Sequence, residues 1–265
     1  MDIKEALVSF TPFISIPFPE GFSISLLGVE MNALVVNESV LVSWVVMALL
    51  IIASLLLTRN LQQIPRGPQA VLEGLVDFLN TFSREHFGKK APVYGPYIGT
   101  IFLFLFVANS IPALSPLAIG ALHIEPPFII KPPTRDINVT AAFALLTILI
   151  VLIGGLRARG FRGWGKQLLS PTPMMLPFNL LEYLIRPLSL ALRLFGNMLG
   201  GFIIMLLVEG ALPVPLVIPA FLSLYFDLFD GLIQAVVFTF LSCLFIAEAV
   251  AEAEDTALKS TVNPK

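Results

Sequence analysis

Arg193 is the residue of this chain most in need of a chemical reason. It stands in "LSLALRLFGNMLGGFIIMLL", residues 188–207, a run that is otherwise almost wholly apolar. Around it Glu182, Arg186, Ser189, Arg193, Asn197 and Gly200 recur at steps of three or four, so a helix places them on one face. Further on, Ser223, Asp227, Asp230 and Gln234 repeat the pattern. A guanidinium keeps its charge in any protein setting and offers only donors. Such a group lowers the pKa of a nearby carboxyl by about 1–3 units and repels cations. A lysine would serve poorly, because burial can neutralise it. Placing Arg or Asp at the centre of a membrane helix costs roughly 3 kcal/mol, so these groups are expected to be functional and to face protein or water.

A plainer reading competes with this one. Arg186 could snorkel to the headgroups, and Arg193 could be the structural partner of Asp227 or Asp230 in a buried ion pair. Glu209 reads as part of the outer turn, and Glu248, Glu252, Glu254 and Asp255 as the solvated cytoplasmic end. Gly196 and Gly200 form a GxxxG pair, which more often packs helices than builds a site.

The rest of the chain must supply a scaffold for these stripes. Of 265 residues, 57% are hydrophobic and only 13% are charged, with mean hydropathy +0.89. So few charges cannot cover a soluble domain of this size, which points to an integral membrane protein. The net charge of -2 gives no reason to expect nucleic acid. Cys243 is the sole cysteine, and His86 and His123 are far apart, so neither a disulfide nor a metal site is expected. No cofactor is expected either, and nothing resembles a phosphate-binding loop.

Residues 1–38 read as an external, irregular segment without signal-peptide character. Spans are expected at about 39–57, 97–119, 137–154, 173–208 and 216–250, since ~20 residues at ~1.5 Å each cross ~30 Å of hydrocarbon. Residues 68–88 place Val71, Leu72, Leu75, Phe78, Leu79 and Phe82 at helical spacing, with Glu73, Asp77, Asn80 and Arg84 elsewhere. That is an amphipathic interfacial helix. The loop "GLRARGFRGWGKQ" carries Arg157, Arg159, Arg162 and Lys166, and another carries Arg59 and Arg66, so both are assigned to the cytoplasm. The N-terminus then lies outside, with 39–255 as one membrane domain and 256–265 as a cytoplasmic tail. The last two helices are too long to cross upright, so they are expected to form a long, strongly tilted hairpin or to bend near Pro187. The class is therefore an all-α integral membrane protein with about five membrane-crossing helices and one interfacial helix.

"RPLSLALRLFGNM", followed later by "FDLFDGLIQAVVFTFL", resembles subunit a of the F-type ATP synthase membrane sector. "VANSIPALSP" and "PPTRDINVTAAFAL" agree, and the resemblance covers about residues 40–250. It implies a non-catalytic stator in the bacterial plasma membrane. Its partners would be a ring of c subunits, each with a membrane-buried carboxylate, and peripheral-stalk b subunits, all among membrane lipid. Two offset half-channels would connect the ring carboxylates to opposite sides. Arg193 matches the family's essential arginine, Asn197 its downstream asparagine, and Gln234 the glutamine that faces the arginine. Some members carry an acid nine residues after the arginine, where this chain has Phe202, and a histidine where it has Asp227. The resemblance therefore assigns the outer path to Asp227 and Asp230, with Asp136 and Asn109 as lesser candidates. The inner path falls to Glu182, Arg186 and Ser189, and Gln234 is expected to position Arg193. The runner-up is a stand-alone cation channel or antiporter built on an Arg193–Asp227/Asp230 cluster, and a third reading is a structural scaffold. The choice of proton or sodium is not encoded here, because the coordinating groups of this family lie mainly on the ring.

Overall fold

The fold is that of a computed structural model, which describes residues 12–17, 24–26, 29–31, 33–59, 61–122, 131–169, 172, 174, 176–211, 221–222 and 224–262. Six helices dominate: α1 (Glu38–Thr58), α2 (Pro68–Phe87), α3 (Ala91–Leu122), α4 (Ile137–Leu168), α5 (Leu176–Ala211) and α6 (Gly231–Val262). Five helical stretches are long and apolar enough to cross a membrane, in agreement with the expected class. Of the expected turn "EGALPVP", Glu209–Ala211 instead form the end of α5, and residues 212–215 fall outside what is described, as do Ser223 and the side chain of Asp227.

The helix α1 is apolar all round, as a lipid-facing span must be. Val42 and Val46 seat it on the bundle, whereas Trp44, Ile51, Ile52, Leu55 and Leu56 are exposed. In α2 the expected apolar face divides. Leu79, Ser83 and Phe87 pack inward, while Val71 and Phe78 remain exposed. Gly88 closes α2 at φ 53°, and Lys90 then donates to the Val250 carbonyl at 3.1 Å, tying this corner to α6.

The centre of the bundle is α3, with α4 and α6 packed along it. On α3 the buried residues are Ile98, Ile101, Leu105 and Ala108, on α6 Ala235, Phe238, Ile246 and Ala249, and on α4 Ala144 and Val151. Each set advances by three, four, seven or eight residues, the return period of one helix face. Lipid is as apolar as these side chains, so close packing and polar contacts between helices hold the bundle instead of water exclusion. Tyr97 and Thr147 share a hydrogen bond at 2.8 Å across α3 and α4, and Thr147 reaches Ser242 of α6 at 3.5 Å. The helix α5 lies on α4 through Leu190, Ala191 and Leu194 of its buried side.

Three local features depart from the sequence reading. Residues 12–37 hold β-strands: β1 (Pro12–Pro17) pairs antiparallel with β4 (Ala33–Asn37), and β2 (Ile24–Leu26) with β3 (Val29–Met31) inside that loop. Prolines argued for irregularity, yet a two-stranded ribbon has free edges where proline costs no ladder bond. The basic segment after residue 154 is helical instead of a loop, interrupted only at Gly160 with φ 70° and ψ 166°. Its Leu, Arg, Lys and Gln favour helix, and Gly160 alone takes the left-handed turn. Finally, α6 is preceded by a π-helical segment, Leu224–Asp230. Because each π turn takes in an extra residue, the steps of three and four read from the sequence do not carry over within that segment.

Pro187 stands inside α5, which is continuous from 176 to 211. Two polar contacts set the antiparallel register of α5 on α6: Arg186 with Glu248 and Asn197 with Gln234. Gly231 opens α6 where it presses on α3, and a Cβ there would lie 2.8 Å from the Asn109 Cβ. Gly231→Ala is therefore expected to destabilise the protein by about 1–3 kcal/mol through overpacking. Gly74→Ala, with nothing within 4 Å, is expected to be neutral or up to ~1 kcal/mol stabilising. Thermal unfolding of the purified variants measures both.

Candidate functional site

The polar stripe of α5 lies on its open side. Leu188, Ser189, Leu192, Arg193, Gly196 and Asn197 are exposed, whereas Leu190, Ala191, Leu194 and Met198 face the bundle. This division follows from the sequence, because apolar residues at 190, 194 and 198 mark one edge and the polar series another. Gly196 and Gly200 would meet nothing within 4 Å if given a Cβ, so neither packs against another helix among the described residues. The close approach is instead at Gly201, where a Cβ would lie 3.2 Å from the Phe226 ring.

Arg193 makes no ion pair or hydrogen bond with any described residue. Asp230 is half-buried in the π-helical segment and makes no ion pair with it. Gln234 does not hold Arg193, as expected from the sequence, but meets Asn197 one turn further along. Gln234 is 2% exposed, and its Oε1 accepts a hydrogen bond from the Asn197 Nδ2 at 2.8 Å. Its Nε2 is buried and has no partner among the described residues. The amide thus faces α5 from within the bundle, while the guanidinium points to the open side.

Two turns toward the N-terminus of α5, Arg186 is engaged on every side. Nη1 donates to the Glu248 Oε2 at 2.7 Å, Nη2 to the Glu248 Oε1 at 3.0 Å, and Nη2 also to Glu182. The guanidinium lies 5.0 Å from the Phe245 ring centroid. A forked, charge-assisted contact of this kind is among the stronger polar interactions available to a protein. It also corrects two expectations: Arg186 does not simply snorkel, and Glu248 is not merely part of a solvated end. Sequence reasoning missed Glu248 because its partner lies 62 residues away, on another helix. The clue available was a single acid at the end of an apolar run.

A second polar group gathers where α3, α4 and α1 meet. Asn109 is fully buried, accepts from Thr134 and lies 3.5 Å from the Gly231 carbonyl. Asp136 is also buried, but it caps α4, its Oδ1 taking the Asn138 backbone N–H at 2.9 Å and the Asn138 Nδ2 at 3.0 Å. That is the ordinary work of an N-cap aspartate. Arg135 lies over Phe202, 4.1 Å from the ring centroid, so a cation–π contact occupies the position where an acid was looked for. Burial lowers the Arg135 pKa from its ordinary value, opposed by the charges of Glu38 and Asp136. Glu38 also pairs with Lys131 at 3.8 Å. The described residues hold no cluster of three or more His, Cys, Asp or Glu side chains able to bind a metal.

These features define an integral membrane protein whose charged residues sit on one open helix face and in two interhelical contacts. Residues 40–247 match the family model described as ATP synthase A chain. The chain is also 36% identical to "ATP synthase subunit a, sodium ion specific" of Propionigenium modestum, over 248 residues that cover 90% of this chain and 84% of the relative. The chain belongs to the ATP synthase subunit a family. Members translocate ions in the membrane sector of the F-type enzyme, next to the c ring, and nucleotide hydrolysis is not performed by this subunit.

Asn197→Ala is expected to cost about 1–3 kcal/mol, since it leaves both polar ends of buried Gln234 unpaired. Adding Gln234→Leu should return most of that loss, because an apolar pair removes the unmet demand. Thermal unfolding of Asn197→Ala, Gln234→Leu and the double variant in a double-mutant cycle checks this.

Proposed function

We propose that this chain is the stator of a rotary ATP synthase, with Arg193 as the residue that drives ion release and blocks leakage. The observation that carries the reading is the exposure of Arg193 on the open face of α5, free of ion pairs with described residues. A carboxyl on the ring is neutral while it faces lipid, because a bare charge there is costly. When it reaches Arg193, the guanidinium favours the anion and the ion leaves. The same fixed charge repels any cation moving straight from one half-channel to the other.

Asp227 and Asp230 feed the outer half-channel in this reading, with Asn109 behind them. Asp136 has a lesser part, since it is engaged as a helix cap. Asn197 and Gln234 hold α5 and α6 together beside Arg193. Ser189 lies toward the inner half-channel, which Glu182 and Arg186, engaged with each other and with Glu248, flank without carrying the ion. The N-terminus is outside and the C-terminus cytoplasmic, in a bacterial plasma membrane, with α5 and α6 slanted against the ring. The chain contacts lipid through α1 and the peripheral-stalk b subunits elsewhere. Family membership favours a stator over a stand-alone channel or antiporter.

One charge crossing 100 mV releases ~2.3 kcal/mol, so several ions per turn suffice to bias the rotor. In proteoliposomes holding the whole complex, Arg193→Ala is expected to assemble and to lose ATP-driven ion pumping. Pumping at the original rate would refute the assignment. Asp227→Asn and Asp230→Asn are each expected to slow uptake from the outer side, measured as flux with the ion supplied on that side alone. If neither slows it, those carboxylates are structural.

A further inference from the structure

The stripe on α5 carries two guanidiniums, seven residues apart and therefore on nearly the same side of the helix. Under the stator reading, on which this inference rests, a ring carboxylate passing α5 meets both. A second guanidinium left free on that face would also attract the carboxylate. Two free ones would give two resting places, and the ring would halt at whichever bound harder.

The structure treats the two differently. Arg193 is exposed and has no ion pair or hydrogen bond with a described residue, whereas the Arg186 side chain is only 18% exposed. Arg186 spends two donors on the fork with Glu248 and a further contact on Glu182, and its flat face lies against Phe245. Glu182 and Glu248 themselves remain 56% and 52% exposed. The carboxylates thus stand outermost and the guanidinium behind them. Glu182 comes from one turn before on α5, a common neighbour for an arginine. Glu248 is different, because it reaches Arg186 from α6 and supplies the two-point grip.

We propose that Glu248 is a positioning residue that acts through Arg186: with Glu182 it occupies the second guanidinium of the stripe, leaving Arg193 the one that ring carboxylates can engage. Two carboxylates around one guanidinium also leave a net negative charge there. That charge repels an arriving anionic carboxylate instead of catching it.

The test is suppression. In proteoliposomes containing the whole ATP synthase, Glu182→Gln/Glu248→Gln frees Arg186 to trap the ring. ATP-driven pumping is expected to fall about tenfold or more, the factor for one additional charge-assisted hydrogen bond broken at each step, while the complex still copurifies intact. Adding Arg186→Gln removes the trap, and pumping is expected to return to at least half its original rate. A purely structural role for Glu248 predicts the opposite, because deleting its partner cannot restore a lost brace. The proposal is overturned if the triple variant pumps no faster than the double, or if the double pumps at the original rate. Arg193→Ala in the same vesicles separates the two levels. If it pumps normally, the stator reading falls; if it does not pump and the triple variant shows no recovery, only the role of Glu248 falls.

Discussion

A guanidinium surrounded by hydrocarbon can neither lose its proton nor go without partners cheaply, and that constraint orders this structure. Three arginines are met in three different ways. Arg186 is held by two carboxylates and a ring. Arg135 leans on Phe202 near Glu38 and Asp136. Arg193 alone among these three points to the open face of its helix without an ion pair to a described residue. In a chain that spends so few charges, an unmatched one at membrane depth calls for a partner from another subunit. In the proposed function that partner is a carboxylate of the c ring.

The scaffold keeps that face open by satisfying its other polar groups internally. Asn109, Thr134 and the Gly231 carbonyl form one buried knot, and Tyr97, Thr147 and Ser242 another. Both lie among α3, α4 and α6, away from the stripe. The helix α5 joins the bundle core through Leu190, Ala191 and Leu194 and adds polar contacts at two levels, Asn197–Gln234 and Arg186–Glu248. These contacts lie eleven residues apart on α5 and fourteen on α6, about 16 and 21 Å at the rise of a helix. Two clamps at that separation fix both register and crossing, which a single contact could not.

Much of this was legible in the sequence. Five spans, the amphipathic α2 and the shared face of Glu182, Arg186, Ser189, Arg193 and Asn197 follow from periodicity, which depends only on nearest neighbours along the chain. What eluded the reading depends on other terms. Glu248 acquires its role from a helix 62 residues away. Gln234 chose Asn197 over Arg193 because burial places its amide inside the bundle, behind the open face. The basic stretch read as a loop is helical because a single left-handed glycine, Gly160, absorbs the break. The register of Asp227 and Asp230 was lost because seven π-helical residues shift the phase, and composition does not announce them.

The π segment bears on how acid groups can serve near the outer side of α5. Gln234, four residues into α6, enters the bundle to meet Asn197, whereas Asp230, the last residue of the π segment, is half-exposed. Phe226 of the same segment fits against Gly201, which has no side chain to resist it. The junction of the π segment with α6 thus joins two tasks: Gln234 holds α5, and Asp230 keeps a carboxylate at a half-exposed position. Irregular backbone in a membrane persists where it is buried in protein or lines a wet cavity, and the proposed outer path is a place of that kind.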